Sequence, residues 1–123
     1  MSNETISYIF EDILESIVHI ERRFSSIHTP NDFALSSTGI DKLDAIAMRL
    51  QVIGEQLKLV DKLSPEFFSN YPDTEWKKII AMRDIISHHY ANINLDIIFD
   101  VCTSKIPFLK ETVIRIISDL TVI

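Results

Sequence analysis

Residues 83 to 90 read Arg-Asp-Ile-Ile-Ser-His-His-Tyr, and no other stretch of the 123 residues packs so many chemically active side-chain types together. An imidazole titrates near neutrality, so His88 suits a general base or a general acid. Arg83 stays charged at any physiological pH, and its planar fork fits two oxygens of a phosphate. On a helix Arg83 and Tyr90, seven residues apart, fall within about 20° of each other on one face. His88 stands about 140° from Arg83, close enough for a long arginine side chain to converge with it at one edge, while His89 points the other way. Asp84 and His88 are four apart and can touch, which suits Asp84 to accept a hydrogen bond from His88 and set its tautomer. The pair His88-His89 with Asp84 also raises a metal site. Helical histidine ligands are usually three or four apart and no cysteine is near, so neither metal nor cofactor is expected here. Taken alone, arginine followed five residues later by histidine reads more readily as a surface salt bridge beside a half-buried histidine.

The elements that must hold this segment are helical. Apolar residues at Ile6, Phe10, Ile13, Ile17, Ile20, Phe24 and Ile27 alternate steps of four and three, which predicts a helix over about Asn3 to Ser26. Ser25 to Gly39, with Thr29-Pro30-Asn31-Asp32, has turn chemistry and no period, so it reads as a long loop. A second stripe at Ile40, Leu43, Ile46, Leu50, Ile53, Leu57 and Val60 predicts a helix over Ile40 to Leu63. Gly54 lies on its buried side, and close approach of a neighbouring helix is the reason to expect glycine there. Ser64-Pro65-Glu66 should open a short helical turn ending at Tyr71-Pro72, and Asp73 should cap a third long helix that passes through Trp76, Ile79, Ile80, Met82 and Ile86 and on to Tyr90. Asn94 caps a fourth helix with Ile97, Ile98, Val101 and Cys102, which Pro107 must interrupt before a last helix through Leu109, Val113, Ile116 and Leu120. No segment alternates with period two. The expected fold is all-α, an up-down bundle of about four long helices plus short ones, in a single domain over residues 1–123.

Composition narrows the function classes. Apolar residues make up 46% and charged residues 24%, with 2 Gly and 4 Pro, which excludes disordered, collagen-like and turn-rich all-β classes. A lone cysteine, Cys102, cannot form an internal disulfide, and it sits on an apolar stripe as an inert buried thiol. No membrane span is present and the first 21 residues carry five acids and no Lys or Arg, unlike a secretory signal, so the cytoplasm is the expected location. The net charge of −6 disfavours broad binding of phosphate backbones and leaves a nucleic-acid role only to a local site. Lys77-Lys78 would meet flanking phosphates or simply be solvated. His19, His28, Arg22 and Arg23 read as a solvated helix end, and Trp76, Phe67 and Phe68 as core anchors.

Arg83, His88 and Tyr90 form the pattern Arg, four residues, His, one residue, Tyr, and in this the chain resembles the HepT family of the HEPN superfamily. The resemblance extends to Ile53-Gly54-Glu55-Gln56, to Tyr71-Pro72 with Trp76-Lys77-Lys78-Ile79-Ile80-Ala81-Met82, and to Asn94-Leu95-Asp96 and Ile106-Pro107-Phe108-Leu109. Gln56 departs from the usual alanine, a change expected to alter packing or the rim of the site. The resemblance implies a HEPN-like fold and a metal-independent ribonuclease that is the toxin of a toxin–antitoxin pair. It further implies a MntA-type nucleotidyltransferase as antitoxin, which transfers AMP from ATP onto the motif tyrosine, here Tyr90.

Elementary chemistry is consistent with that role. RNA is cut without metal when a base takes the 2′-hydroxyl proton, an acid protonates the leaving 5′-oxygen, and a cation stabilises the phosphorane. Arg83 and His88 supply the cation and one proton-transfer group, with Asp84 in support. One histidine cannot serve both ends of an in-line displacement. A homodimer that brings two copies of this helix to a two-fold axis would supply the second, so a composite site is expected. The competing expectation is a non-catalytic HEPN helper module that binds beside a minimal nucleotidyltransferase.

Overall fold

The computed structural model describes residues 3–121 and, for His89 and Tyr90, the backbone alone. The apolar stripes fold as an all-α bundle, and no strand occurs among the described residues. Helix α1 (Asn3–Phe24) buries Ile6, Phe10, Ile13, Ile17 and Ile20, and ends two residues earlier than its stripe suggests. Burying each such side chain contributes about 1.5–3 kcal/mol. Helix α2 (Ser37–Leu63) runs back along α1, as the pairs Lys42 with Ser26 and Arg49 with Ser16 show. Helix α3 (Trp76–His89) packs along α2. Helices α4 (Leu95–Asp100) and α5 (Ile106–Thr121) return the chain, with Lys110 of α5 held 2.8 Å from Glu21 of α1. Among the described residues no helix is long and apolar enough to cross a membrane.

The segment between α1 and α2 is more ordered than its composition suggests. Pro30–Phe33 forms a 3-10 turn, and the Asp32 carboxylate accepts the backbone N–H groups of His28 at 2.7 Å and Thr29 at 3.0 Å. Those donors hold the Asp32 carboxyl below its ordinary pKa. Phe33 is fully buried, tilted against Phe24. The Ser36 hydroxyl accepts from Gly39 N–H at 3.0 Å, so α2 starts three residues before the expected Ile40. Ile40 is 47% exposed because Gly39 takes the inward position, where an added Cβ would lie 2.1 Å from the Asp32 carbonyl oxygen.

Two further expectations are corrected. Asp73 does not cap α3; the Glu75 carbonyl accepts from Ile79 N–H at 3.2 Å, so the helix begins at Trp76. Trp76 anchors that start, donating its indole N–H to Tyr71 O at 2.9 Å and stacking on Phe68 at 4.4 Å. Asn94 does cap α4, its side chain accepting from Asp96 and Ile97. Pro107, by contrast, breaks nothing. Val101–Lys105 form a π-helical turn in which Ile106 N–H reaches back to Val101 O, five residues away. The wider turn accommodates a ring that lacks a donor and would crowd an α-helical carbonyl, so helix runs on from α4 into α5. Cys102 is buried in this turn, and burial pushes its thiol up to about 12, which leaves it protonated and inert.

Phe33→Ala should destabilise the bundle by about 3–5 kcal/mol, the cost of emptying a filled aromatic site. Denaturant unfolding measures this; a loss below about 1 kcal/mol would mean the segment is a passive loop.

Candidate active site

The site is built where α3 crosses closest to α2. Gly54 lies beneath Arg83, and a Cβ placed on it would come 2.7 Å from the Arg83 Cβ and 3.5 Å from the Ile80 carbonyl oxygen. Any side chain at position 54 would push the two helices apart, which is the close approach anticipated from its place on the buried stripe. The neighbouring Glu55 then meets the arginine head: Arg83 Nε–H donates to Glu55 Oε1 at 3.2 Å, and Arg83 NH1 donates to Asp84 Oδ1 at 3.1 Å. About one turn further along both helices, Gln51 Nε2 donates to the Ser87 hydroxyl. Arg83 is half-buried, whereas Glu55 and Asp84 are exposed.

The structure thus brings Arg83 and Asp84 together and places His88 on the exposed face of the same helix. It does not join Asp84 to His88, and no hydrogen bond between them occurs among the described residues. In place of the expected tautomer-setting contact, the Asp84 carboxylate forms a charge-assisted pair with the Arg83 guanidinium. Tyr90 opens a 3-10 turn, Tyr90–Asn92, just past α3. The side chains of His89 and Tyr90, and with them the expected shared face of Tyr90 and Arg83, lie outside the described residues.

Glu55 and Gln51 are the side chains that the pattern of residues did not mark. Glu55 entered only as part of the Ile53-Gly54-Glu55-Gln56 element, with no role attached, and its role depends on which residue of α3 the glycine admits. Gln56 is about 200° around α2 from Gly54, so it does not rim the site. Its Oε1 is buried with no hydrogen-bond partner among the described residues, a cost of about 1–3 kcal/mol that the packing must offset.

Lys78 and the basic end of α1 have partners of their own. Lys78 pairs with Glu75 at 2.7 Å, and His19 sits between Arg22 at 2.7 Å and Glu15 at 3.7 Å at the end of α1. Trp76, Phe67 and Phe10 are core aromatics. An apolar cleft of about 410 Å³ lies between α3 and the chain leading into α5, with Ile53, Ile79, Met82 and Phe108 among its walls. Met82 and Asp84 turn about 100° to opposite sides of Arg83, so the cleft occupies one flank of α3 and the carboxylates the other. Among the described residues no group of three or more His, Cys, Asp or Glu is placed to hold a metal ion.

Gly54→Ala sets two effects against each other. Helix propensity gains about 1 kcal/mol, while the overlap with the Arg83 root costs about 1–3 kcal/mol because it meets a Cβ and not a flexible tip. Net destabilisation in thermal unfolding is expected; a more stable variant would show that the helices are not in forced contact.

Comparison with known proteins fits this geometry. The family model described as "Ribonuclease HepT-like" matches residues 6–116. Over 122 residues the chain is 32% identical to "Putative RNase MJ0127" of Methanocaldococcus jannaschii, covering 98% of this chain and 93% of that protein. It is 35% identical over 108 residues to "Gamma-glutamylcyclotransferase and putative RNase MJ0434" of the same organism, covering 88% of this chain and 46% of that longer protein. It is also 34% identical over 73 residues to "Putative RNase TTE0752" of Caldanaerobacter subterraneus subsp. tengcongensis, covering 59% of this chain and 62% of the relative. No solved structure matches. With a family match running from the first turns of α1 into the last helix, and a relative 32% identical over nearly the whole of both chains, the chain belongs to the HepT-like ribonuclease family.

Proposed function

We propose that this chain cleaves RNA without a metal ion, as the toxin of a toxin–antitoxin pair, using Arg83 and His88. The observation that carries the reading is a half-buried arginine, held at the α2–α3 contact, on the same helix as an exposed histidine in a member of a ribonuclease family. In the proposed reaction an imidazole takes the 2′-hydroxyl proton, the 2′-oxygen attacks phosphorus, and a second imidazole protonates the departing 5′-oxygen. Arg83 stabilises the charge that accumulates on the phosphorane oxygens.

Two imidazoles are needed and each chain offers one His88 on this face, so the active form is a two-fold dimer with α3 near the axis. Ile85 on α3 is 51% exposed in the single chain, and Ala81 one turn before it is exposed too, which gives this helix an apolar strip beside His88 for a second copy to cover. The second reading is a helper module that binds a nucleotidyltransferase without cutting RNA. It is favoured by charge: Arg83 is outnumbered by Glu55 and Asp84, in a chain of net charge −6.

Purified protein should cleave total RNA in EDTA, and Arg83→Ala and His88→Ala should each abolish the cleavage. Dimers mixing one chain of each variant should recover part of it if the site is composite. Rescue of an EDTA-silenced enzyme by a divalent ion would overturn the mechanism, and a fully active monomer by light scattering would overturn the composite site. No cleavage by the wild type would favour the helper module.

The proposed antitoxin is a MntA-type nucleotidyltransferase. It would join the Tyr90 phenolic oxygen to the α-phosphorus of ATP, release pyrophosphate, and leave a phosphodiester anion on the residue seven positions after Arg83. That anion and the bulk of the nucleotide would exclude the RNA phosphate. Incubation with such an enzyme and ATP should add AMP residues at Tyr90 by mass spectrometry, with cleavage falling in proportion. A Tyr90→Phe chain that is silenced as readily as wild type would sink this account of regulation.

A further inference from the structure

We infer that Glu55 is a positioning residue for Arg83, holding the Nε edge of the guanidinium so that its outer edge faces the scissile phosphate, an inference that rests on the ribonuclease reading above. A guanidinium carries five N–H donors in one plane. Glu55 Oε1 takes the Nε–H at 3.2 Å and Asp84 Oδ1 takes one hydrogen of NH1 at 3.1 Å. Three donors remain, one on NH1 and two on NH2. They are enough to meet two phosphate oxygens at once.

Geometry makes Glu55 suited to this. Arginine reaches its head through four torsions, and a phosphate clamp works only when the plane is fixed. Gly54 fixes the root, since its bare Cα admits the Arg83 Cβ against α2. Glu55, the next residue on the same helix, fixes the head. Two adjacent residues of α2 therefore hold both ends of one side chain of α3. The second carboxylate, Asp84, comes from α3 itself and moves with it, so it cannot register the arginine against the rest of the bundle. Glu55 does. The pair is 31% and 57% exposed at its side chains, which makes its contribution to folding small and its effect on turnover the informative one. The competing role for an anion here is to occupy Arg83 and repel RNA, and it predicts the opposite sign.

The test compares wild type, Glu55→Ala, Glu55→Gln and Arg83→Ala on one defined RNA, with kcat and KM measured separately, thermal unfolding, and the 15N-detected exchange of the Arg83 Nε–H. Glu55→Ala should lower kcat by about tenfold to a hundredfold, with KM unchanged or lower because an anion has been removed and with the unfolding temperature little altered. Glu55→Gln keeps an oxygen that accepts the Nε–H and should recover most of kcat. The Nε–H should be protected from exchange in wild type and unprotected in Glu55→Ala. Turnover in Glu55→Ala equal to or above wild type, with Arg83→Ala inactive, would overturn the positioning role while leaving the ribonuclease reading intact. A wild type that cuts no RNA but loses Nε–H protection in Glu55→Ala would keep the seat and overturn the ribonuclease reading. If Glu55→Ala fails to fold, kcat and Nε–H protection in Glu55→Gln decide: loss of both overturns the assignment, and retention of both supports it.

Discussion

Contact between the backbones of α2 and α3 depends on the bare Cα of Gly54. Glycine inside a helix costs about 1 kcal/mol relative to alanine, and here the cost is offset by an approach that no other residue permits. Once the helices meet at Gly54 and Arg83, the other cross-links follow from antiparallel register: Glu55 reaches the guanidinium and Gln51 reaches Ser87 about one turn away. The α2–α3 contact is therefore both a packing solution and the means by which one cation is presented in a defined place.

The two ends of α3 have different tasks. Its start is locked by aromatic packing, with Trp76 stacked on Phe68, edge-on to Phe10, and bonded to the Tyr71 carbonyl. Among the described side chains its second half leaves Asp84, Ile85, Ser87 and His88 exposed, while Arg83 and Ile86 turn to the bundle and Ser87 is bonded to Gln51. A rigid base with an exposed working half suits a site that acts on a large polyanion, because the helix is fixed in direction while its reactive side chains stay accessible.

Electrostatics explain how so acidic a chain can still act on RNA. Lys78 is engaged by Glu75, Lys110 by Glu21 and Arg22 by His19, so these cations form no continuous basic track. Arg83 differs in that its carboxylate partners take two of its five donors and leave three, in a half-buried setting where its attraction for phosphate is screened less than at an open surface. Affinity for nucleic acid would then come from a shaped site and not from bulk charge.

The sequence by itself determined the helical class, because steps of three and four in Ile6 to Ile20 and in Leu43 to Val60 have no other way to hide their apolar side chains. It also determined that Gly54 marks a close approach, that Asn94 starts a helix and that Cys102 is buried, since each follows from one residue's own chemistry. Partners across space decided the rest. Phe33 turned a loop of turn residues into part of the core, and Pro107 was absorbed by a π turn because the packed chain on either side favoured continuity over a break. Asp84 was four residues from His88 and one from Arg83, and local spacing allowed either partner. Glu55 was 28 residues from Arg83 and had no periodic signal to connect them. Helical periodicity reports which face of a helix is buried, but it carries no information about which residue of another helix lies opposite. That choice is made by the register in which two surfaces fit, and here the fit at Gly54 decided which carboxylate holds the arginine.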